Sequence, residues 1–250
     1  SISTMNIAII GFGKMGKTIK ALAEAAGDQV VLTIDLDNQS DFTKENLQKA
    51  DVAIEFTRPE TAFENIKACL EAGVPVVCGT TGWLDRLPEA LDICEASKGA
   101  LFYASNYSIG VNIFFAVNRY LSGLMAEQPQ YDVRMEEVHQ AQKLDHPSGT
   151  AITLAQGILE NISRKKTWTT HLQTTDNQHF ATAQDAMPII SKRVENVPGT
   201  HIVTWESGID TIEISHTAHS REGFARGALA AAKWLVGRRG FYGMKEMLGF

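Results

Sequence analysis

A chain of 250 residues has room for one large domain or two modest ones and can bury a substantial core. Hydrophobic residues make up 44% and charged residues 21%, close to globular averages, so disorder is excluded as the default reading. The net charge of −6 argues against nonspecific binding to nucleic acid or to an anionic membrane, and no apolar run reaches the roughly 18–20 residues that span a bilayer.

In chain order, the apolar residues 7–10 lack a basic leader and run straight into a glycine turn, which is not the pattern of a secretion signal. Residues 1–4 precede Met5 and are set aside. Residues 6–10 read as a buried strand, 14–26 as a helix ended by Gly27, and 30–34 as a β-branched second strand. A third strand is predicted at 51–56, followed by a helix that Pro59 opens and Gly73 closes. Strand 74–78, helix 84–97 and strand 100–104 complete a βα alternation, which predicts an α/β, Rossmann-type doubly wound parallel sheet.

After Asn106 the pattern changes. A long connecting helix is predicted at 109–125, a strand at 132–138 and a helix at 150–161. Strands at 201–206 and 211–217, joined by polar loops, suggest an α+β unit with an open mixed sheet needing a helix or partner chain on one face. The Ala-rich helix at 224–236 is expected to pack back onto the first domain. Domains are therefore expected at 1–106 with 221–250, and at 107–220. Cys69, Cys78 and Cys94 are odd in number and lack CxxC spacing, so they read as buried free thiols in a reducing, cytoplasmic setting.

Gly11-Phe12-Gly13-Lys14-Met15-Gly16 fits G-x-G-x-x-G between a strand and a helix. Gly11 permits a tight turn, Gly13 lets backbone approach a pyrophosphate, and Gly16 lets helix and strand pack closely. The helix N-terminus offers free N–H groups to the phosphates. Asp35 ends the second strand, where a carboxylate can accept hydrogen bonds from ribose hydroxyls; Asp37 is an alternative. No arginine follows closely, so the expected cofactor is NADH and/or NADPH, with NADH used at least as well. Gly79-Thr80-Thr81-Gly82 and Ala104-Ser105-Asn106-Tyr107 follow later strands on the same rim, as nicotinamide and ribose contacts or as ordinary turns.

The segment from Glu136 to Thr150 concentrates the titratable groups. Ser148-Gly149-Thr150 precedes an apolar helix and forms a natural carboxylate cradle, Lys143 can supply a cation and a proton, and His139 exchanges protons near neutral pH. The chemistry-free alternatives are a solvated Lys143 and a plain helix cap. His216 and His219 stand three apart on strand-like sequence, hence on opposite faces, and no metal is expected. Arg238-Arg239 reads as a solvated helix end.

Glu137-Val138-His139, then Lys143, Asp145 and Pro147-Ser148-Gly149-Thr150-Ala151, resemble the E-x-H-H-x-x-K-x-D-x-P-S-G-T-A signature of the 4-hydroxy-tetrahydrodipicolinate (dihydrodipicolinate) reductase family. The resemblance extends collinearly through the glycine loop, Glu55-Phe56-Thr57-Arg58-Pro59, Gly79-Thr80-Thr81-Gly82, 104–112, 197–201 and 212–221. It implies NAD(P)H-dependent reduction of a small cyclic unsaturated dicarboxylate, in diaminopimelate and lysine biosynthesis, by a homotetramer. It also implies acid–base roles for His139 and Lys143, and substrate-carboxylate binding by Gly149 and Thr150; Ser148, from the cradle above, and Gln140, whose amide can still donate to a carboxylate, are expected beside them. The chain departs from the pattern at Gln140, which stands where a second histidine is common, at Ala141 and Gln142, at His146, and in a shorter glycine loop. Two other readings are a different two-domain amino-acid or imine dehydrogenase, which leaves 143–150 unexplained, and a dinucleotide-sensing module that binds without turnover.

Overall fold

In the computed structural model the described residues are 4–140 and 147–250; Lys143, with the rest of 141–146, lies outside them. The elements are β1 (Asn6–Ile10), α1 (Lys14–Ala25), β2 (Gln29–Ile34), α2 (Lys44–Leu47), β3 (Val52–Glu55), α3 (Pro59–Glu71), β4 (Val76–Cys78), α4 (Leu87–Ala96), β5 (Ala100–Tyr103) and α5 (Ile109–Met125). They continue as β6 (Asp132–His139), α6 (Gly149–Leu159), β7 (Thr167–Gln173), β8 (Ala186–Arg193), β9 (Thr200–Glu206), β10 (Thr211–Thr217), α7 (Glu222–Leu235), β11 (Gly240–Tyr242) and α8 (Met244–Leu248). Two compact units result, Ser1–Ile109 with Glu222–Phe250, and Gly110–Arg221.

The first unit is a six-stranded parallel sheet in the order β11-β5-β4-β3-β1-β2. Side chains alternate across a strand, so β1 sends Ile7 and Ile9 to one face and Ala8 and Ile10 to the other. The first pair joins the core beneath α1 and α7, with Ile19, Val52, Ile54, Ala228 and Leu235. The second joins the core beneath α3 and α4, with Ala53, Phe63, Ile66, Leu70 and Cys94. Both faces are covered, as a parallel sheet of near-continuous apolar strands requires. Chain direction across the sheet reverses between β1 and β3, which opens a crevice at the carboxyl ends of those strands.

The second unit is a mixed sheet in the order β10-β9-β6-β8-β7. Its helices α5 and α6 cover one face through Phe114, Met125, Leu154 and Ile158 against Val133, Met135, Ile189, Val203 and Trp205. Strands β7 and β8 were not anticipated, because Thr167–Gln173 is mostly polar and Pro188 interrupts Ala186–Arg193. The stretch 84–97 is also not one helix, since Leu84–Arg86 forms a 3-10 turn and α4 begins at Leu87, with Pro88 in its first turn. Arg238 turns back to donate to the Trp234 carbonyl (2.7 Å) and stacks on the Trp234 ring. The three cysteines are free and buried.

Candidate active site

In the first unit the glycine loop joins β1 to α1 at the crevice. Gly11 adopts φ +95°, and a Cβ there would stand 1.8 Å from the Phe56 carbonyl oxygen. At Gly16 a Cβ would meet the Gly11 carbonyl oxygen at 2.4 Å. Both positions are closed to side chains by the fold itself. Gly13 differs: nothing lies within 4 Å of its ideal Cβ, and it is exposed. The open space beside Gly13 is what a bound phosphate would fill, and the donors there are the free N–H groups that start α1.

Two clefts meet at this loop. One of about 380 Å³ is lined by Gly11, Phe12, Gly13, Asp35, Phe56 and Arg58, among others. A second, of about 350 Å³, is lined by Gly13, Lys14, Met15, Gly16, Gly79, Thr80 and Thr81. Asp35 is exposed, and its carboxylate accepts from the Leu36 N–H (2.9 Å), leaving oxygen lone pairs open to a ligand. Arg58 corrects the expectation of no nearby arginine. It is distant from Asp35 in sequence, but the β1–β3 pairing carries the end of β3 to the same cleft.

Not every residue expected at the cofactor presents a side chain to it. The Thr80 hydroxyl is buried, donating to Glu55 Oε1 (2.6 Å) and accepting from the Thr57 N–H (2.8 Å). Tyr107 is fully buried, and its hydroxyl donates to the Cys78 carbonyl (2.5 Å). Ala104 is buried beside it, Asn106 Oδ1 accepts from the Ser108 N–H (2.8 Å), and Ser105 is exposed. Thr80 and Tyr107 therefore shape their loops, and neither of these two side chains faces a ligand. Glu55, a residue with no expected role of its own, organises the crevice. It accepts from Thr57 Oγ1 (2.5 Å), Asn65 Nδ2 (3.0 Å) and Thr80 Oγ1 (2.6 Å), tying the β3 and β4 loops together. Burial pushes its carboxyl above the ordinary range despite these bonds.

In the second unit, strand register assembles a polar row. Glu137 on β6 stands opposite His201 on β9 and beside Ser191 on β8, while His216 on β10 stands opposite His201. His139 lies two residues beyond Glu137, hence on the same face. The N-terminus of α6 completes the group: Ser148 caps the helix, its Oγ accepting from the Ala151 N–H (3.1 Å). Glu137 is fully buried. Its carboxylate accepts from Ser148 Oγ (2.6 Å), the Ser148 N–H (3.1 Å) and Ser191 Oγ (2.9 Å), with the Nε2 atoms of His139 and His201 each 3.2 Å away. Burial alone would push Glu137 up. The hydrogen bonds from His139, His201, Ser148 and Ser191 outweigh it and hold the carboxyl well below the ordinary carboxylate range.

Ser148 is thus occupied by Glu137, which removes its donors from the predicted carboxylate cradle. Gly149, exposed, and Thr150, half-buried, follow Ser148 in the first helical turn, and among the described residues their N–H groups have no partner. Gln140 is half-buried just beyond β6. Glu137, His139 and His201 place donor atoms within 4.8 Å of one another, a spacing that can suit a metal. Their hydrogen bonds already account for those atoms, so no ion is needed to hold the group together. A larger cleft of about 680 Å³ lies at the opposite end of β6, around Asp132, Arg164 and Lys165. There Lys165 is paired with Asp132 and Arg164 is bonded to main-chain carbonyls, so neither is available. His201 carried no local sequence signal, since only the β6–β9 register brings it to Glu137. The Glu137-x-His139 spacing did carry one, because alternate residues on a strand share a face.

A doubly wound sheet with a glycine loop at its crevice, together with a second unit holding a buried carboxylate between two imidazoles, defines a Rossmann-type nucleotide-binding oxidoreductase. Residues 5–107 match the family described as dihydrodipicolinate reductase, N-terminus, and residues 110–248 match dihydrodipicolinate reductase, C-terminus. The chain belongs to the dihydrodipicolinate reductase family. The 4-hydroxy-tetrahydrodipicolinate reductase of Christiangramia forsetii is 48% identical over 244 residues, covering 98% of each chain. That of Methanoregula boonei is 32% identical, covering 95% of this chain and 94% of its own. The solved structure of dipicolinate-bound dihydrodipicolinate reductase from Paenisporosarcina sp. TG-14 superposes with a TM-score of 0.77 at 25% identity, covering 98% of this chain and all of that one. The activity these matches carry is 4-hydroxy-tetrahydrodipicolinate reduction, a step of diaminopimelate and lysine biosynthesis.

Proposed function

We propose that the chain performs this reduction with NAD(P)H on its first unit and with His139 and Lys143 as the acid–base groups of its second. The observation that carries this reading is the imidazole of His139 held by Glu137, whose carboxylate is also bound to Ser148 at the start of α6. A dinucleotide held in the first unit would supply a hydride from its nicotinamide. The residues Gly11 to Gly16 and Asp35 would hold the dinucleotide, with backbone from Gly79 to Thr81 and from Ala104 to Asn106. In the second unit, Gly149 and Thr150 orient one substrate carboxylate. His139 and Lys143 hold the protons that quench the negative charge which hydride addition builds on the ring.

Both dinucleotides are accepted in this reading, with NADH used at least as well as NADPH: Asp35 suits free ribose hydroxyls, and Arg58 offers a 2′-phosphate one exposed cation. We also propose a homotetramer. Support comes from the sheet face opposite α5 and α6, which no other helix of the second unit covers, and from the exposed stripe Ile113, Val117, Tyr120 and Leu124 on α5. NADH oxidation with freshly generated 4-hydroxy-tetrahydrodipicolinate tests the reading. Lys143→Ala is expected to abolish turnover while NADH binding stays nearly intact; collapse of cofactor binding along with turnover would make the lysine structural.

A further inference from the structure

Two imidazoles share one buried carboxylate in the second unit, and the donors and acceptors around it constrain their tautomers. Ser148 Oγ receives the Ala151 N–H (3.1 Å), and its own proton goes to Glu137 Oε2 at 2.6 Å, the shortest and charge-assisted option. Its remaining lone pair faces His201 Nε2 at 3.1 Å, and Glu137 Oε2 faces the same nitrogen at 3.2 Å. An unprotonated His201 Nε2 would set lone pair against lone pair twice, so this nitrogen carries a hydrogen. His139 Nε2 also lies 3.2 Å from Glu137 Oε2, and 3.3 Å from the His201 nitrogen. A hydrogen on His139 Nε2 meets the buried carboxylate, whereas a bare nitrogen would face that anion lone pair to lone pair and could accept only from His201.

The other edge of the His139 ring meets backbone that carries no side chain. Gly199, at φ +141°, lies against its Nδ1 and Cε1, where a Cβ would approach both atoms to 3.2 Å. A side chain at 199 would press on the nitrogen that the carboxylate leaves unprotonated.

We propose that Glu137, with His201 as its second imidazole, keeps the hydrogen of His139 on Nε2, so that Nδ1 is the atom that takes up a proton to form the imidazolium and gives that proton to the substrate. Glu137 and His201 are then positioning residues that act through His139. This rests on the acid–base role given to His139 above and names its reacting atom. It parallels the carboxylate–imidazole pairing of hydrolytic triads, with the two ring nitrogens exchanged.

Solid-state NMR of protein labelled with 15N-histidine tests it, with the His139 signals assigned by difference from His139→Ala. In the resting enzyme, above the pH at which the ring is neutral, Nε2 is expected to be pyrrole-like and Nδ1 pyridine-like. Glu137→Gln keeps the shape but puts an amide donor beside Nε2, and shifts His139 toward the Nδ1–H form, with kcat falling toward that of His139→Ala. His201→Gln supplies an N–H to Glu137 and is expected to retain the wild-type tautomer, whereas His201→Phe is expected to mix the two forms. An Nδ1–H tautomer in the wild type overturns the proposal, as does an unchanged His139 spectrum in both Glu137→Gln and His201→Phe. Full turnover by His139→Ala would instead defeat the functional role while leaving the tautomer assignment standing.

Discussion

Glu55 and Glu137 are both fully buried near the carboxyl ends of their strands and both accept hydrogen bonds from hydroxyl groups, yet their acidities move in opposite directions. Around Glu55 the partners are neutral groups from Asn65, Thr57, Thr80 and Cys78, and desolvation prevails. Desolvation is again the largest single influence on Glu137, but two imidazoles and two serine hydroxyls together exceed it. Burial sets the cost of a charge, and the chemistry of the partners decides whether the charge persists. The first unit uses its carboxyl to brace two loops of a binding crevice. The second keeps an anion in place to hold the two imidazoles of His139 and His201.

The strongest way to break this contrast is kinetic. Glu137→Ala is expected to lower kcat by roughly 10²–10⁴-fold, the range that general acid–base catalysis contributes. Glu55→Gln is expected to spare kcat and raise the KM for NADH by up to about tenfold, equivalent to 1.4 kcal/mol. Steady-state assays varying each substrate in turn separate the two. A kcat loss in Glu55→Gln as large as that in Glu137→Ala would erase the distinction between brace and acid–base support.

Stability against pH should divide them as well. A carboxyl whose folded pKa lies above its ordinary 4.5 binds its proton more tightly in the native state, so the stability Glu55 contributes is complete below 4.5 and is lost as pH rises through the raised value. Glu137 is depressed below 4.5, so its contribution is present above that value and is lost as pH falls below it. Melting curves from acid to neutral pH should show Glu55→Gln flattening the decline above 4.5, and Glu137→Gln flattening the acid limb. If both variants change the same limb, the contrast is wrong.

The first unit was largely legible in the sequence because its strands are local apolar runs bounded by glycine and proline, as at Ile7 to Gly11 and at Pro59 and Gly73. The second was legible only in part. Glu137, His139 and Ser148 fall within one short segment, but His201 and Ser191 reach them through strand register, which no local pattern encodes. Strand β7 escaped notice because an edge strand with half-buried faces needs few apolar residues. Arg58 was missed for the same reason as His201: pairing of β1 with β3 brings distant residues to one cleft.

Within the first unit, two glycines sharpen the idea of a binding crevice. Gly11→Ala puts a methyl group into the Phe56 carbonyl at a left-handed φ, and should cost roughly 2 kcal/mol or more in thermal stability. Gly13→Ala meets nothing, so its melting temperature should hold or rise slightly while NADH affinity falls. Calorimetry paired with NADH titration reads both effects. Unchanged NADH affinity in Gly13→Ala would mean that the open space beside it is not where the pyrophosphate lies.

The smallest expected effect concerns Arg58, which is exposed and separated by the same cleft from the Asp35 carboxylate. An exposed guanidinium gains only about 0.2–1 kcal/mol from an opposite charge, so Arg58→Ala should reduce kcat/KM for NADPH by no more than about fivefold. The value for NADH should scarcely move, because free ribose hydroxyls meet Asp35 instead. Removing the Asp35 charge with Asp35→Asn should act in the other sense, weakening NADH and relieving repulsion of a 2′-phosphate. Equal losses for both cofactors in Arg58→Ala would show that this cation supports the cleft wall, leaving discrimination to Asp35 alone.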